Sequence, residues 1–442
     1  YRGAEKHFPA PTLPPQHVPS YWSIVLRDFV KIGDLEPAIV VRIGKSSMTL
    51  ALSDRQNITL NWSAEEAKRL QPYKSENYVA PAPKSFSQIF QVGDLIRVRN
   101  TKENQWEIGQ IPHIQSALVS LDSKTGAVIA LAGGIDFAYS KFNRATQALR
   151  QPGSSFKPFI YLKALENGYT PASLVNDAPI VFQEAGMSKP WRPENHGGTY
   201  LGPIPLRQAL YQSRNMVAIR LLQSIGVKSL INSLPRFGFD TRNMDPNLSL
   251  ALGSHAFSPF TMATAYTVLS NGGFKVEPFL VQKITDPKGH IIYQQKHKVA
   301  CADCAQASLP SDDTTEPAPR VVDEQTAYII DDMLKDVIRR GTGHAATVLN
   351  RSDIAGKTGT TNGPTDAWFV GYNPSIATAA WLGFDDNTML GKREYGGTAA
   401  LPIWITFMHE ALKDQPVVER TIPAGLVTVR TNANTEQPAA TN

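Results

Sequence analysis

Two adjacent serines precede a lysine in the stretch LRQPGSSFKP, which spans residues 149–158. A Pro-Gly pair marks a turn before them, and the run FIYLKAL that follows has apolar residues at helical spacing, so the serines are expected at a helix N-terminus. Residues three apart share a helix face, whereas residues two apart do not. The spacing therefore predicts that Lys157 could activate Ser154, while Ser155 would help to start the helix. On this motif alone, a capped helix with a solvated lysine is the alternative.

A serine and an asparagine two positions apart interrupt the apolar segment LRQALYQSRNMVAIRLL at Ser213 and Asn215. Both residue types compete with the helical backbone for hydrogen bonds, so they are costly inside a helix unless they bond to another group. We interpret this pair as a second part of a site, with a plain turn between two helices as the alternative. A similar pair, Ser75 and Asn77, lies in a polar stretch where such residues are expected.

A third motif, Lys357-Thr358-Gly359-Thr360, follows Ile-Ala-Gly and precedes the strand-like run AWFVGY. This context predicts a strand that lines the edge of a sheet. A second Lys-Thr-Gly, Lys124-Thr125-Gly126, occurs in LDSKTGAV, where it reads as an exposed hairpin turn with no further role. We therefore assign the later copy to the site.

The three motifs could together support acyl transfer, which needs a nucleophile, a base and a pocket that stabilises negative charge. Ser154 at a helix start would direct its own backbone N–H toward an oxyanion. Lys157 can act as the base only if its pKa falls, and burial and a neighbouring cation both favour such a fall. Lys357 would be that cation.

The remaining residues of the motifs complete the predicted site. Ser213 would relay a proton between the lysines and the leaving amine, and Asn215 would hold Lys157 and the substrate amide. Strand alternation puts Thr358 and Thr360 on one face and Lys357 on the other. The two hydroxyls, separated by Gly359 in the substrate-binding motif, could then grip a terminal carboxylate. The N–H of Thr360 would be the second oxyanion donor.

The composition is typical of a globular protein with two or three domains. The chain has 442 residues, of which 42% are hydrophobic and 19% charged, and its net charge of +5 is only mildly basic. No apolar run reaches the length of a membrane span. Because the chain opens on Tyr1 rather than Met, we expect a targeting segment upstream.

The elements that must position the motifs divide the chain into four parts. Residues 1–35 are proline-rich and are interpreted as a linker, and short strand patterns in residues 36–113 predict a small OB-like β domain. Residues 114–414 carry the motifs. Strand patterns at both ends of that region flank a helical middle, which predicts an α+β domain with one antiparallel sheet completed by both ends and flanked by helices. The polar tail, residues 415–442, cannot be placed.

Helix boundaries can be predicted at two positions in the helical middle. Ser258, followed by proline, is expected to cap a helix over FTMATAYTVL that ends at an Asn-Gly-Gly sequence. Asp323 is expected to open a longer helix, EQTAYIIDDMLKDVIRR, which Gly341 closes.

The only two cysteines, Cys301 and Cys304, form a CxxC pattern with His297 nearby. These three residues could be zinc ligands, but no second pair completes the set. A small loop disulfide or two idle thiols are the favoured interpretations. We therefore predict no metal and no cofactor.

The order S-x-x-K, S-x-N and K-T-G resembles that of class A penicillin-binding proteins, specifically their transpeptidase part. The segments WRPENHGGTYLGPIPLRQALYQSRN, LALGSHAFSPFTMATAYTVLSNGG, RRGTGHAA and WLGFDD…GGTAALPIW are similar to segments of that family and cover most of residues 114–410. The β-rich unit resembles the OB-like domain of some members. The resemblance implies the penicillin-binding and β-lactamase-like fold.

The resemblance also implies the reaction. Ser154 would attack the D-Ala–D-Ala bond of a peptidoglycan stem peptide, release D-alanine and pass the acyl group to an amine of a neighbouring stem, and β-lactams would acylate and inhibit the same serine. The implied partners are stem peptides, β-lactams and other cell-wall synthesis proteins, and no nucleic acid is expected. The full-length protein would be anchored at the periplasmic face of the bacterial inner membrane.

Three alternatives remain open. A β-lactamase would hydrolyse its acyl-enzyme quickly, but the ExxLN-type motif that class A enzymes use to activate water is absent between Asn215 and Lys357. A D-Ala–D-Ala carboxypeptidase would differ only in using water as the acceptor. The non-enzymatic alternative is glycan or nucleic-acid binding by residues 36–113.

Overall fold

The computed structural model describes residues 1–9, 11, 18–101, 105–182, 190–301 and 314–429. The chain divides into two units. The first consists of Tyr1–Gln115 and Ile135–Lys141, and the second of Ser116–Gly134 and Phe142–Asn442. Within the described ranges, no helix is both long and apolar enough to cross a membrane.

An antiparallel sheet dominates the first unit. Its strands in chain order are β1 (Lys6–His7), β2 (Glu36–Ile43), β3 (Ser47–Leu52), β4 (Asn57–Asn61), β5 (Tyr73–Ser75), β6 (Tyr78–Val79), β7 (Asp94–Asn100) and β8 (Trp106–Gly109). Its helices are α1 (Val18–Val25) and α2 (Ala64–Arg69). The main sheet has the order β1-β7-β2-β3-β4, with β8 paired to β7, while β5 and β6 form a separate hairpin.

Strand β2 is buried on both of its faces. Successive side chains of a strand point to opposite faces. Ala38 and Val40 pack in a cluster with Phe86, and Ile39 packs on the other side with Trp22 of α1. The two clusters explain why this strand is a continuous apolar run rather than an alternating one.

The prediction of a linker over residues 1–35 is wrong where the structure describes that segment. Strand β1 pairs with β7, and Trp22 and Leu26 are 1% and 0% exposed. Burial of each such side chain stabilises the fold by roughly 1.5–3 kcal/mol. The burial of these two side chains therefore holds the described part of the segment in the fold, although its proline-rich composition suggested a linker.

The second unit contains the motif residues. Its strands in chain order are β9 (Gln115–Asp122), β10 (Val128–Ala132), β11 (Leu174–Asp177), β12 (Gly202–Pro205), β13 (Lys283–Thr285), β14 (Ile291–Gln294), β15 (His297–Val299), β16 (Thr315–Pro317), β17 (Ala355–Thr360), β18 (Asp366–Tyr372) and β19 (Ile376–Gly383). Its helices are α3 (Lys157–Glu166), α4 (Leu206–Tyr211), α5 (Asn215–Ile225), α6 (Val227–Ser233), α7 (Pro259–Ser270), α8 (Glu324–Arg340) and α9 (Leu401–Ala411).

A five-stranded sheet brings the two ends of this unit together in the order β10-β9-β19-β18-β17. The described pairs β9–β10, β17–β18 and β18–β19 are antiparallel. Residues of β9, β18 and β19 share one apolar core with α3, α5, α7 and α8. The predicted α+β class, with an antiparallel sheet flanked by helices, is confirmed, and β17 lies at the edge of the sheet.

The two predicted helix caps are also confirmed. Ser258 accepts a hydrogen bond from Thr261 N at the start of α7, which ends at Ser270, directly before the predicted Asn-Gly-Gly stop. Asp323 accepts from Thr326 N at the start of α8, whose last residue precedes Gly341.

The segment after α9 packs against α8 over the part that is described. Lys335 of α8 lies 2.9 Å from a carboxylate oxygen of Glu419, and Gln325 donates to Ala424 O. Residues 415–429 of the predicted tail are thus attached to the second unit.

Cys301 is disulfide-bonded, which agrees with one of the two favoured interpretations of the cysteine pattern. Cys304 lies outside the described residues.

Candidate active site

Ser154 lies in one turn of 3-10 helix, Gly153–Phe156, that leads directly into α3. The neighbouring Ser155 is fully buried, and its hydroxyl donates to Pro152 O at 2.7 Å, so that hydroxyl is engaged within the turn. Ser154 is only partly buried. It precedes Lys157, the first residue of α3, by three positions, which puts the two side chains on one face.

Lys157 is fully buried and bonds to both residues of the second motif. Its Nζ donates to Ser213 O and to Asn215 Oδ1, each at 2.7 Å, and lies 3.4 Å from Ser213 Oγ. The amide nitrogen of Asn215 donates in turn to Glu194 O at 2.7 Å, which fixes the orientation of the amide. The first two motifs are therefore in direct contact.

Ser213 forms a turn between α4 and α5, and its backbone is unusual. Its φ is +60°, in the left-handed region that residues other than glycine occupy rarely. Such a conformation costs about 1–3 kcal/mol and persists where the surroundings enforce it. The turn expected as the alternative interpretation is thus present, and it directs Ser213 Oγ toward both lysines.

Lys357 of the edge strand β17 is fully buried and bonds to the same serine. Its Nζ donates to Ser213 Oγ at 2.9 Å and to Thr358 O at 3.1 Å. Ser213 Oγ therefore lies between the amino groups of Lys157 and Lys357. The third motif is in this way joined to the other two.

The motif glycine allows the 3-10 turn to contact β17. A Cβ on Gly359 would lie 2.2 Å from Pro152 O, and one on Gly153, whose φ is +54°, would lie 2.5 Å from Thr360 O. Contacts this short exclude a side chain at either position. Glycine is therefore required at both positions if the turn that carries Ser154 is to pack against the strand.

The backbone N–H of Thr360 faces the open edge of the sheet. Thr361 N donates to Asp366 O on the neighbouring strand, and the N–H groups of consecutive strand residues point in opposite directions. Thr360 N–H therefore points away from β18. Gly153, the residue before Ser154, contacts the Thr360 backbone on that edge.

The hydroxyls of the two motif threonines are already engaged. Thr360 Oγ1 accepts from Gly396 N at 3.0 Å, at the start of a π-helix over Gly396–Ala400. Thr358 Oγ1 lies 2.6 Å from Thr342 Oγ1. Lys357 Nζ also lies 3.3 Å from Thr358 Oγ1, so the lysine and this threonine of the motif are in contact.

Burial lowers the pKa of both lysines, and neighbouring positive charge lowers that of Lys157 further. Burial lowers the pKa of Lys157 well below its ordinary value, and the charges of Lys357 and Arg214 lower it further. Burial lowers the pKa of Lys357 to about 7. A lysine with a strongly lowered pKa can exist as the neutral amine near neutral pH, as a base requires.

A buried polar network behind the second motif was missed by the sequence analysis. Asp177 is fully buried and accepts from Arg214 Nε at 2.7 Å and from the Asn195 amide at 2.7 Å. Asn195 Oδ1 then accepts from the N–H of Asn215 and of Met216, which caps the start of α5. This network holds the turn that carries Ser213. Its pairs join residues 18 and 37 positions apart, so no local pattern could reveal them.

We expect Asp177→Ala to destabilise the second unit by about 3–5 kcal/mol, because the buried guanidinium of Arg214 would lose its carboxylate. Urea unfolding measures this loss. Asp240→Ala is the matched control, since Asp240 pairs with Arg242 and both side chains are exposed. Equal unfolding midpoints for the two variants would contradict the role given to the network.

The second copies of the Ser-x-Asn and Lys-Thr-Gly motifs do not belong to the cluster around Ser213. Ser75 belongs to β5 in the first unit. Lys124 is exposed on the turn between β9 and β10, as expected of a hairpin lysine.

In the described part of the chain, no group of three or more His, Cys, Asp or Glu side chains is arranged to hold a metal ion.

Family comparisons match both units of the chain. Residues 116–409 match the family described as penicillin binding protein transpeptidase domain, and residues 1–114 match the penicillin-binding protein OB-like domain. Over its whole length, the chain is 44% identical to penicillin-binding protein 1A of Pseudomonas aeruginosa, and it covers 56% of that protein. The chain thus spans little more than half of this curated relative.

Two solved structures share the architecture. The 2.6 Å crystal structure of penicillin-binding protein 1A from Haemophilus influenzae matches 100% of this chain with a TM-score of 0.88 and 34% identity, and 66% of that chain is covered. The structure of the PonA1 protein from Mycobacterium tuberculosis in complex with penicillin V matches 75% of this chain with a TM-score of 0.58 and 26% identity, and 84% of that chain is covered.

Proposed function

This chain belongs to the penicillin-binding proteins, and we propose that its second unit is a serine-type D-Ala–D-Ala transpeptidase that cross-links peptidoglycan stem peptides and is acylated by β-lactams. The single observation that carries the proposal is the contact of Ser213 Oγ with the amino groups of two buried lysines. Such a contact links a base, a proton relay and a cation in one site, next to a serine at the start of a helix.

The hydrogen bonds of Lys157 suit it to accept a proton from Ser154. A neutral amine has two N–H donors and one lone pair. Its two shortest contacts, to Ser213 O and Asn215 Oδ1, each use a donor. The lone pair is then left for an incoming proton, and burial together with the charge of Lys357 favours this neutral form. Lys157 is accordingly the general base of the proposal.

The acylation step transfers one proton through three side chains. Ser154 Oγ attacks the carbonyl carbon of the penultimate D-alanine and gives its proton to Lys157. As the C–N bond to the last D-alanine breaks, Lys157 returns a proton through Ser213 to the leaving amine. Ser154 is then esterified. Attack by an amine of a second stem peptide reverses these proton transfers and frees the serine.

Two backbone N–H groups are proposed to stabilise the negative charge of the tetrahedral intermediate. Ser154 contributes its own N–H at the start of the helical turn, and Thr360 contributes the N–H that faces the open sheet edge. Preorganised donors of this kind supply a large part of the catalysis in acyl transfer. Lys357 and the hydroxyls of Thr358 and Thr360, around Gly359, would bind the terminal carboxylate.

The proposed partners follow from this chemistry and from the relatives. A relative with the same architecture is solved with penicillin V, which supports β-lactams as ligands of this chain. Peptidoglycan stem peptides are the proposed substrates, and other cell-wall synthesis proteins are proposed to associate with the full-length protein. Its proposed place is the periplasmic face of the inner membrane. We retain 114–414 as the proposed limits of the transpeptidase domain and residue 113 as the proposed end of the OB-like domain, whose proposed start moves from residue 36 to the start of the chain because β1 and Trp22 pack with its sheet.

A stable acyl-enzyme tests this function. After incubation with a β-lactam, we expect one covalent adduct that survives for minutes or longer. Asp177 is the carboxylate whose charge acts on Lys157, but it is held by Arg214 and Asn195 and is therefore not available to activate water. Mass spectrometry over time measures the lifetime of the adduct. Rapid steady hydrolysis of a chromogenic cephalosporin would instead indicate a β-lactamase.

The acceptor distinguishes cross-linking from simple hydrolysis. With a D-Ala thioester donor and a D-amino acid as the amine, the transpeptidase is expected to form the transfer product in preference to the free acid. If only the free acid forms at every acceptor concentration, the protein is a carboxypeptidase.

A further inference from the structure

We propose that Thr342, in the segment RRGTGHAA, is a substrate-binding residue that forms a two-hydroxyl carboxylate site together with Thr358. This inference rests on the proposed function and adds a residue to its site. The two hydroxyl oxygens are 2.6 Å apart, a normal distance for an O–H···O hydrogen bond. Thr358 is buried, whereas Thr342 is exposed, so Thr342 is the member of the pair that an incoming ligand reaches first.

The backbone around Thr342 is fixed by three neighbouring elements. Thr342 N donates to Tyr211 O at the end of α4, directly before the turn of Ser213. A Cβ on the preceding Gly341 would lie 2.5 Å from the same Tyr211 O, so only glycine permits this approach. On the other side, Gly397 packs against Thr342 O. The residue is therefore held between the second motif, α8 and the π-helix beside the third motif.

The hydrogen-bond count leaves one donor for a ligand. Two hydroxyls carry two protons, and the bond between them uses one. Lys357 Nζ donates to Thr358 Oγ1 at 3.3 Å and so takes up an acceptor position on the pair, not a proton. Neither hydroxyl donates to a further acceptor among the described residues, so whichever threonine donates to the other, one O–H remains free within that part of the chain. Lys357 Nζ lies beside this O–H, and in its protonated form it adds a positive charge that suits an anion.

A carboxylate is the ligand that this arrangement fits. It accepts hydrogen bonds and donates none, and its bonds to O–H and N⁺–H donors are stronger than those between neutral groups. An ester at the same place carries no charge and accepts weaker bonds. The pair of threonines should therefore discriminate acids from esters, and loss of one hydroxyl should reduce that discrimination.

The test compares benzylpenicillin with its methyl ester on three forms of the protein: native, Thr342→Val and Thr342→Ser. Valine keeps the shape of threonine and removes the hydroxyl, whereas serine keeps the hydroxyl. We expect Thr342→Val to slow acylation by the acid about tenfold, since hydrogen bonds to charged groups are the stronger ones. Acylation by the ester should change less than twofold, and Thr342→Ser should resemble the native protein.

The ratio of the two acylation rates separates binding from mere structural support. If Thr342→Val slows acylation by benzylpenicillin and by its methyl ester equally, or slows neither reaction, the inference is wrong. The same holds if Thr342→Ser behaves like Thr342→Val, because the hydroxyl would then not be the group that matters. A native protein that forms no adduct with benzylpenicillin would instead contradict the proposed function itself.

Discussion

Ser154→Ala is expected to fold normally and to form no covalent adduct with benzylpenicillin, whereas Ser155→Ala should keep most of the adduct. Ser154 is the partly buried serine on the face of Lys157, and its loss removes the only atom proposed to bond to the acyl group. Ser155 is buried, and its hydroxyl donates to Pro152 O at 2.7 Å. Mass spectrometry of the intact and digested protein gives the extent and the position of the adduct.

The two serine variants also control for each other. Ser155→Ala removes one buried hydrogen bond, which typically contributes about 0.5–1.5 kcal/mol, so it should melt slightly below the native protein and still react. Ser154→Ala should melt at the native temperature and not react. An adduct that persists in Ser154→Ala, or that maps to Ser155 in the native protein, would overturn the assignment of the nucleophile.

The sequence predicted those parts of the fold that depend on local rules. Caps at Ser258 and Asp323 rest on the hydrogen-bonding groups of one residue and on the helix that follows it. The antiparallel sheet could be predicted because strand patterns at both ends of the second unit require partners. The linker prediction for the proline-rich start was wrong, because its composition gives no sign that Trp22 is buried against β2.

The candidate site was predictable in its motifs but not in its supports. The need for a lowered pKa at Lys157 pointed to a nearby cation, and Lys357 does contact the same serine hydroxyl as Lys157, that of Ser213. The partners that hold the site in shape could not be predicted in this way. The Asp177–Arg214 pair and the Thr342–Thr358 pair join residues from separate elements, and only the folded chain brings them together.

The strained turn at Ser213 illustrates the same limit. A serine between two helices suggests a turn, but no property of the residue itself predicts a φ of +60°. That conformation depends on the cap from Asn195 and on the burial of Arg214 against Asp177. Backbone strain at this proposed site residue is therefore maintained by residues that take no direct part in the proposed chemistry.

Lys357→Ala is expected to slow acylation about 10²–10³-fold, the usual effect of losing one electrostatic partner from a catalytic site. Lys124→Ala, in the second copy of the motif, should acylate like the native protein. The Lys357 amino group donates to Ser213 Oγ at 2.9 Å, and its charge helps to lower the pKa of Lys157. Its loss both releases the proton relay and makes the base harder to deprotonate. Stopped-flow measurement of adduct formation gives the rates.

The pH dependence identifies which of these effects operates. In the proposed mechanism neutral Lys157 is the active form, so acylation should become faster as the pH rises through the pKa of this residue. Removal of the repulsion from Lys357 raises that pKa, and the rise in rate should move to higher pH in Lys357→Ala. Lys124 is exposed, and substitutions at exposed positions usually stay within about 0.5 kcal/mol of neutral, so Lys124→Ala should keep the native profile and melting temperature. Equal acylation rates for Lys357→Ala and Lys124→Ala would show that the wrong copy of the motif was chosen. If Lys357→Ala is slow but its pH profile is not shifted, the defect lies in the proton relay or in carboxylate binding and not in the pKa of Lys157.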